Sequence, residues 1–402
     1  MAQFRILALD GGGCWALIQV KALIELFGAQ MRGRELLGQF DLAAANSGGS
    51  IVLGCLIEDL TLAEILAFFQ DEQKRRSVFY KTPSHWNLVL HSLLGVGPKY
   101  SAAKKLEALR ATMTKRGGRP LSEAVAGVHA ASGDGDLHAL IVSFDYDANR
   151  AVFFRSAAVS QPSWGEGSAT QVALVEAIHA STNAPVNYFD GPAEFPGRSD
   201  RYWDGAISGC NNPVLAAVSE AIGLGHAPES IVALSLGTAS LTLPPAIPKG
   251  PVSHYVNARS ETGLLKDAGK LAGAILDDPP DAATFLAHLM TGLGKDLPKD
   301  CPQSRIVRMS PLIAPIASPP GAPDPWSPPE GMTPAQFDAL RLLDMDAIEK
   351  TQISLIEGLA DLWIANKVRN QPIRMQGKTL ICELGQPTFG EARRAWEVLH
   401  KS

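Results

Sequence analysis

The chain has 402 residues, of which 46% are hydrophobic and 19% are charged, and its formal net charge is −5 at pH 7. This length allows two or three domains or one large α/β domain, and the apolar fraction excludes a disordered chain. The sequence pI near 6.0 argues against a dedicated nucleic-acid binder, because such a protein needs a concentrated basic face. No apolar stretch approaches the roughly 18 residues of a spanning helix. We therefore expect any membrane contact to be peripheral.

The N-terminal residues and the cysteines predict a cytoplasmic protein. The apolar run in MAQFRILALD stops at Asp10 and is shorter than the roughly 7 to 15 residues of a secretory signal. The cysteines form no CxxC pair, which is typical of reduced, mostly buried thiols: Cys14, Cys55, Cys210, Cys301 and Cys382. The histidines form no HExxH motif, so we expect no metal and no other cofactor.

The first sixty residues predict two strand–turn–helix units. A strand at Phe4–Leu9 leads through glycines into a helix over Trp15–Phe27, whose apolar residues recur at helical spacing. A second strand at Phe40–Ala45 precedes a helix over Ser50–Ile57, which is apolar on nearly every side and should be deeply buried. Repeated βα alternation predicts a mainly parallel sheet covered by helices.

The later elements are less regular. Two strands, His138–Phe144 and Ala151–Phe154, flank a turn, and Ile231–Leu236 is another buried strand. Residues 311–334 are rich in proline, which predicts a loop or linker with polyproline character. The remaining chain predicts a helix that begins at Thr333, Pro334 and Gln336, a helix over Met345–Ile364, a strand over Thr379–Cys382 and a helix over Glu391–Leu399.

The glycine turn Gly11-Gly12-Gly13-Cys14-Trp15-Ala16 formally satisfies the dinucleotide-binding pattern GxGxxG/A. A Rossmann fold also needs an acidic residue at the end of its second strand, whereas Glu35 and Asp41 lie in a loop and at a strand start. Asp10, directly before the glycines, would repel a pyrophosphate. Consecutive glycines let backbone N–H groups converge at the positive end of the helix dipole, so this turn can bind an oxyanion.

Two further segments carry candidate chemistry. Ala45-Asn46-Ser47-Gly48-Gly49 is a nucleophile elbow in which Ala replaces the leading Gly; the alternative is a turn that only caps a buried helix. Tyr202–Ala206 places Asp204 before Gly205, although Asp-Gly is also the sequence of an ordinary turn.

An α/β-hydrolase triad fits this order of residues poorly. Only one βα unit precedes Ser47, whereas the elbow of that fold follows most of the sheet. The histidines after Asp204 lie in no motif, and His179 reads as a structural hydrogen-bonding residue rather than a base. A carboxylate that acts directly on the serine fits better than a triad.

Together these segments resemble the patatin-like phospholipase family. That family has a DGGGxRG oxyanion turn, a GxSxG elbow with the nucleophilic serine and a DGG or DGA motif with the catalytic aspartate, which fall here on Asp10–Ala16, Ala45–Gly49 and Asp204–Ala206. Further matches are Ala180–Pro185 with Tyr188-Phe189, Asn211–Pro213 and Ser235–Thr238. The chain departs from the family at Trp15, where an Arg or Lys is usual, and at Ala16 and Ala45. The resemblance thins after Thr238 and is faint beyond Lys367.

The resemblance implies a three-layer α/β/α fold with a mainly parallel central sheet, related to but distinct from the α/β-hydrolase fold. It implies Ser47 and Asp204 as the catalytic dyad. The implied oxyanion hole uses N–H groups of Gly11, Gly12, Gly13 and Gly48. Supporting positions in the elbow and the DGA motif are Ala45, Asn46, Gly49, Gly205 and Ala206. The implied catalytic domain covers residues 1–367, with a motif-bearing core over 4–240 and a helical, proline-rich part over 241–367, and is followed by an extension over 368–402.

The implied reaction is hydrolysis of a carboxylic ester of a phospholipid or lysophospholipid through an acyl-enzyme. A signal-activated effector phospholipase, for example one switched on by a cyclic nucleotide, stays open as an alternative. A nucleotide-binding protein built on the glycine turn is the other. We expect a cytoplasmic location with peripheral contact at the inner face of the membrane, and no nucleic-acid partner. Candidate membrane contacts, which more often are core or solvated surface, are Trp86–Val96, Leu271–Leu293, Lys74–Arg76 and Lys115-Arg116.

Overall fold

A mixed β-sheet forms the centre of the computed structural model, which describes residues 3–81, 98–133, 135–157, 172–185, 188–245, 253–257, 280–293, 304–376 and 381–401. The strands in this part of the chain are β1 (Phe4–Leu9), β2 (Leu42–Ala45), β3 (His138–Asp145), β4 (Arg150–Arg155), β5 (Ala193–Glu194), β6 (Arg201–Asp204), β7 (Ile231–Leu236), β8 (Ser240–Leu241), β9 (Ile306–Met309), β10 (Leu312–Ile313), β11 (Ile316–Ala317), β12 (Trp326–Ser327), β13 (Ile373–Gln376) and β14 (Ile381–Leu384).

Five strands of the main sheet run parallel in the order β3-β2-β1-β7-β9. Strands β4 and β6 pair antiparallel with β3, and β5 pairs antiparallel with β6. The register pairs Leu9 with both Ala45 and Leu236, so β1, β2 and β7 end at the same edge of the sheet. In parallel sheets the ligand sites lie at this carboxyl edge.

The helices of the described residues are α1 (Leu17–Phe27), α2 (Gly33–Leu37), α3 (Ser47–Ile57), α4 (Leu62–Gln70), α5 (Glu72–Val78), α6 (Ala102–Thr112), α7 (Leu121–Val125), α8 (Leu174–Ser181), α9 (Val214–Gly223), α10 (Pro334–Leu342), α11 (Lys350–Ile364) and α12 (Phe389–Lys401). Residues 280–288 are also helical. Short 3₁₀ turns cover Gly13–Ala16, Gly205–Ser208 and Pro228–Ser230.

Alternate residues of the strands face two separate apolar layers. In β1, Leu7 and Leu9 belong to a large cluster with residues of α1, α3 and α11, whereas Ile6 and Ala8 belong to a second cluster with residues of α9. Because successive strand side chains point to opposite faces, helices cover the sheet on both sides. The predicted three-layer α/β/α fold with a mainly parallel sheet is confirmed.

The N-terminal elements follow the sequence prediction closely. Strands β1 and β7 have the predicted bounds, and every residue of α3 is buried, as expected. The predicted helix over Trp15–Phe27 is divided, because a 3₁₀ turn over Gly13–Ala16 precedes α1. The helix α3 begins at Ser47 rather than Ser50, so the serine opens the helix instead of preceding it.

The C-terminal elements differ more from the prediction. The proline-rich residues 311–334 contain β10, β11 and β12, with β11 and β12 paired as a hairpin and β10 paired with β8. The capping box of Thr333 and Gln336 is present at the start of α10, as predicted. Helix α11 begins at Lys350 rather than Met345, because the preceding residues bond to the glycine turn.

The last residues of the chain pack on the same core as the sheet. Strands β13 and β14 form a hairpin; of the strand predicted over Thr379–Cys382, residues 379–380 lie outside the described residues. In α12 the ring of Trp396 stacks on Phe40 with centroids 5.7 Å apart, and Phe389 packs against Trp363 at 4.7 Å. Residues on both sides of Lys367 therefore share one apolar cluster. The predicted boundary at that residue stays a prediction.

Candidate active site

Ser47 lies in a sharp turn between β2 and α3. Its backbone φ is +46°, in the left-handed region that a residue with a side chain rarely adopts, and the residue is only 6% exposed. The Ser47 N–H donates to Ser181 Oγ at 2.9 Å, and this bond helps to hold the turn. A strained serine at a strand-to-helix junction is the backbone geometry of a nucleophile elbow.

The glycines of the elbow let α3 approach the glycine turn. A Cβ atom on Gly48 would lie 2.5 Å from the carbonyl oxygen and 2.8 Å from the nitrogen of Gly13. A Cβ atom on Gly49 would lie 2.5 Å from the carbonyl oxygen of Leu9. Both distances are far below van der Waals contact, so the backbones of the two motifs touch only because neither glycine has a side chain.

The glycine N–H groups predicted to form an oxyanion hole differ in their hydrogen-bond partners. Within the described ranges, the N–H groups of Gly12 and Gly13 donate to no other residue, and that of Gly48 lies in the first turn of α3, where no intrahelical acceptor exists. The Gly11 N–H instead donates to the Asn211 carbonyl at 2.9 Å. The Gly11 N–H is therefore already bonded within the protein, and Gly12, Gly13 and Gly48 stay predicted donors.

Asp204 is the last residue of β6 and is 3% exposed. Its Oδ1 accepts hydrogen bonds from Asn46 Nδ2 at 3.2 Å and from the Ala206 N–H at 2.9 Å. Burial raises the pKa of the Asp204 carboxyl, and the neighbouring Ser47 side chain and the Ala206 N–H oppose that rise. A Cβ atom on Gly205 would lie 2.5 Å from Asn46 Oδ1, so the DGA glycine makes room for the asparagine.

Ser47 lines two cavities: a larger one with both charged and apolar side chains, here called the polar cavity for its charged residues, and a smaller apolar one. The polar cavity, of about 290 Å³, is lined by Ser47 and Asp204 together with Asp10, Thr238, Asp281, Arg308 and Gln371. The apolar cavity, of about 30 Å³, is lined by Ser47 and by a group of hydrophobic side chains, namely Ile51, Phe68, Phe69, Val78, Phe79 and Phe189. Ser47 and Met345 line both cavities.

Arg308 of β9 forms a buried ion pair with Asp10, the residue before the glycines. The Arg308 side chain also donates to Ser235 Oγ at 2.9 Å and to Gln371 Oε1 at 3.0 Å. Burial raises the pKa of Asp10, and the guanidinium of Arg308 opposes that rise. Sequence reasoning missed Arg308, although a charged residue inside the apolar strand IVRM is a signal of a buried ion pair.

Residues 343–349, here called the cover segment, lie over the glycine turn. The carbonyl oxygens of Asp344 and Met345 accept hydrogen bonds from Trp15 Nε1 at 3.2 Å and from the Cys14 N–H at 3.0 Å. The Tyr100 hydroxyl donates to Asp346 Oδ2 at 2.6 Å, which ties the other side of the segment. Trp15, which replaces the family's cation, is therefore a hydrogen-bond donor to the cover segment.

The two acidic residues that could bind the ribose of a nucleotide, Glu35 and Asp41, lie away from the glycine turn's cavity. Asp41 is buried, and its carboxylate accepts from the backbone N–H groups of Arg5 and Ser132, both at 2.6 Å. Glu35 is exposed on α2. Neither residue lines the polar cavity, so neither Glu35 nor Asp41 is placed as the acidic partner that a Rossmann site needs.

The candidate membrane contacts have mixed positions. In Lys74–Arg76, Arg75 is buried and donates to the carbonyl oxygens of Phe69 and Ile348. The prediction that Arg75 contributes to an exposed basic surface is therefore wrong. The stretch Trp86–Val96 lies outside the described residues, as do residues 271–279. In the described part of the second stretch, Phe285 is in the core, whereas Leu286 and Met290 are exposed. None of the helices in the described part of the chain is long and apolar enough to cross a bilayer.

Of the described histidines and cysteines, one residue, Cys14, lines a cavity at Ser47, namely the apolar one. His179 is buried and its pKa is held well below the usual value, first by burial and then by nearby cations. Among the described residues, no histidine lines either cavity at Ser47. Cys14, Cys55 and Cys210 are free thiols, and burial raises the pKa of Cys14 to about 12. Cys301 and the side chain of Cys382 are outside the described residues. The described residues contain no cluster of three potential metal ligands.

Comparisons with known proteins agree with the motifs. The family model of the patatin-like phospholipases matches residues 7–218, more than half of the chain. Among solved structures, the human GIVD cytosolic phospholipase A2 is similar with 16% identity and a TM-score of 0.23 over 39% of this chain, which spans 22% of that protein. VipD from Legionella pneumophila is similar with 9% identity and a TM-score of 0.33 over 90% of this chain and 67% of its own. No curated protein sequence matches the chain. The chain belongs to the patatin-like phospholipase family.

Proposed function

We propose that this protein hydrolyses carboxylic ester bonds of phospholipids or lysophospholipids through a dyad of Ser47 and Asp204. One observation carries the proposal. A strained serine and a buried carboxylate line the same cavity, and Asn46, the residue before the serine, donates to that carboxylate through Nδ2 at 3.2 Å. The serine and the carboxylate are the two groups that nucleophilic acyl transfer needs at its centre.

In the first step the Ser47 oxygen attacks the ester carbonyl while its proton passes to the Asp204 carboxylate. The alcohol part of the lipid then leaves with a proton returned by Asp204, and the acyl group stays on Ser47. Water, deprotonated by the same carboxylate, attacks this acyl-enzyme and releases the fatty acid. Asp204 is suited to this task because its raised pKa makes it a better base than an exposed carboxylate.

The N–H groups of Gly12, Gly13 and Gly48 stabilise the negative charge that develops on the carbonyl oxygen. These donors are fixed by the close packing of the two glycine motifs, so they need no rearrangement during the reaction. Removal of one such donor typically costs about 10² to 10³ in rate. The family's cation is not required in this account, since backbone donors alone can carry the charge.

The two cavities give the substrate an orientation. The apolar cavity suits the start of an acyl chain, whereas the polar cavity, with Asp10, Arg308 and Gln371, suits the alcohol side of the ester. An ester placed across Ser47 in this way would present its carbonyl carbon to the serine oxygen. This arrangement favours a lipid ester with one apolar and one polar end.

A fluorophosphonate probe and lipid product analysis test the proposal. We expect the wild-type protein to be labelled at Ser47 and to release free fatty acid from mixed phospholipids and lysophospholipids. Ser47→Ala should abolish both, and Asp204→Ala should abolish hydrolysis while circular dichroism shows the fold intact. Full activity in the Asp204→Ala protein would exclude the dyad.

The pH dependence of kcat/KM supplies a second readout. The profile should have no step near the histidine value of about 6.5, because no described histidine lines the cavities. A step near that pH that disappears when one histidine is mutated would replace the dyad by a triad.

A further inference from the structure

Lys105 on α6 is a fully buried lysine outside the three family motifs. Its Nζ donates to the carbonyl oxygen of His179 at 3.0 Å and to Asn183 Oδ1 at 2.9 Å, and it lies 4.1 Å from the ring centroid of Phe189. Burying an ammonium group is costly unless its donors are satisfied. Two oxygen acceptors and the face of an aromatic ring surround the amino group of Lys105. Such a complete set of partners for a buried lysine indicates a specific structural role.

Both hydrogen-bond partners of Lys105 lie at the C-terminal end of α8. The carbonyl oxygens that end a helix lack N–H partners and carry the negative end of its dipole, so a cation there is favourable. Lys105 therefore fixes this helix end and the residues that follow it. The helix end in turn contacts both members of the dyad.

On one side, Ser181 Oγ accepts the Ser47 N–H at 2.9 Å. On the other side, the Asn183 carbonyl oxygen accepts the Asp204 N–H at 3.0 Å. The side chain of Asn183 is held by Lys105 at its oxygen and by the Gly191 carbonyl at its nitrogen. A continuous set of hydrogen bonds thus runs from the ammonium group to the backbone of the catalytic aspartate.

Burial and the nearby carboxylates act on the pKa of Lys105 in opposite directions. Burial lowers its pKa well below the usual value, while Asp204 and Asp190 favour its charged form. His179, the titratable neighbour on α8, is held neutral by burial first and by the lysine and Arg110 next. Lys105 also lowers the pKa of Asp204, as do the groups that contact this carboxyl, but burial outweighs them and the net shift is upward.

We propose that Lys105 is a positioning residue of the acyl transfer, which holds Asn183 and, through it, the carboxyl group of Asp204 in register with Ser47. The inference rests on the proposed function, since it assigns Lys105 to the same dyad. Lys105 touches neither substrate nor the reacting atoms. Its effect reaches the reaction through Asp204.

The sequence carries a local signal for this residue. Ala102, Lys105 and Leu109 recur at the spacing of one helix face, and all three are buried. Two neighbouring lysines on a helix are usually both exposed to solvent. Here Lys104 is exposed, whereas Lys105 falls on the apolar face of the helix.

The experiment compares Lys105→Gln, Lys105→Met and Lys104→Met with the wild-type protein. Gln keeps an N–H donor without the charge, Met has neither, and Lys104 is an exposed neighbour whose partner is Glu107 on the same helix. For each variant we measure kcat, KM and the rate of fluorophosphonate labelling at Ser47 between pH 4 and 9, after circular dichroism has checked the fold.

We expect kcat to fall about tenfold or more in Lys105→Met with KM changed less than twofold, because a base out of register slows proton transfer. In Lys105→Gln the acid limb of the profile should move to higher pH, because loss of the cation raises the pKa of Asp204. Lys104→Met should match the wild type.

A folded Lys105→Gln protein with an unmoved acid limb would overturn this inference alone, even if Lys105→Met failed to fold. A wild-type protein that is not labelled at Ser47 and hydrolyses no ester would overturn the proposed function as well.

Discussion

Arg308 and Asp10 form an ion pair of 2.6 Å in which both side chains are only 4% exposed. The pair joins β9 to the turn that follows β1, and it crosses the end of β7 between them. Asp10 is also held through its backbone, because its N–H donates to Leu236 and its carbonyl accepts from Gln19. The ion pair thus fixes the residue that directly precedes the glycine turn.

Arg308→Met should destabilise the protein because it leaves the Asp10 carboxylate buried without its cation. Breaking a buried pair in this way typically costs about 3 to 5 kcal/mol. The double variant Asp10→Asn/Arg308→Met should recover most of the loss, since no charge is then buried. Urea unfolding at pH 7 measures the free energy of unfolding of each variant.

The exposed pair of Arg201 and Asp147 provides a matched control. Arg201→Met should leave the unfolding midpoint unchanged, because a solvent-exposed ion pair contributes little. The deficit of Arg308→Met should also shrink at acid pH. Asp10 in this variant has a raised pKa in the folded state, so its protonation as pH falls removes the cost. A deficit that is constant between pH 7 and pH 4 would contradict this explanation.

Much of the carboxyl edge of the sheet could be predicted because its signals are local. The strand β1 is an apolar run that ends in Asp-Gly, and the elbow is a Ser-Gly-Gly sequence directly after β2. The capping box of Thr333 and Gln336 is local as well, and the structure contains it. Each of these features depends on neighbours within a few residues.

The residues that sequence reasoning missed depend on distant partners. Arg308 is 298 positions from Asp10, and Lys105 is 78 positions from Asn183. The start of α11 was predicted too early for the same reason, because the Met345 carbonyl is bonded to the far end of the chain. Hydrophobic periodicity cannot detect such a bond, since it reports which face of a segment is buried and not what that face meets.

Asp204→Asn should raise the thermal stability of the protein at neutral pH while it abolishes ester hydrolysis. Burial raises the pKa of Asp204 above its ordinary value, so the folded state binds a proton more tightly than the unfolded state. Stability is therefore lost as pH rises from the ordinary value through the raised one. Asn keeps the acceptor for Asn46 and Ala206 but never ionises, so it avoids this loss.

Differential scanning calorimetry at pH 4 and pH 7 measures the effect. The difference in Tm between Asp204→Asn and the wild type should be larger at pH 7 than at pH 4. An equal Tm for both proteins at pH 7 would mean that ionisation of Asp204 costs the fold nothing.

Gly48→Ala should separate the elbow from the glycine turn. The added Cβ atom would lie 2.5 Å from the Gly13 carbonyl oxygen, and backbone on both sides leaves little room to yield. We expect kcat to fall about 10² to 10³, the typical loss for one oxyanion donor, and fluorophosphonate labelling of Ser47 to slow in parallel.

Gly223→Ala at the end of α9 is the control for this substitution. No atom lies within 4 Å of its added Cβ, so the variant should keep wild-type kinetics. A Gly48→Ala protein with unchanged kcat would show that the contact between Gly13 and Gly48 is not needed for catalysis.

Met345→Ala should shift the acyl-chain preference toward longer chains. Met345 and Ser47 line both cavities, so Met345 lies at the border of the small apolar cavity and the larger polar one. Its truncation joins the two spaces, while its carbonyl oxygen still accepts the Cys14 N–H. We expect the ratio of kcat/KM for dodecanoyl over butanoyl p-nitrophenyl esters to rise roughly tenfold, the lower range for a methylene-sized change in an apolar pocket. Leu342→Ala removes a side chain of similar size that is 79% exposed just before the cover segment, and it should leave the ratio unchanged. An unchanged ratio in Met345→Ala would place the acyl chain elsewhere and exclude Met345 as the residue that divides the two cavities.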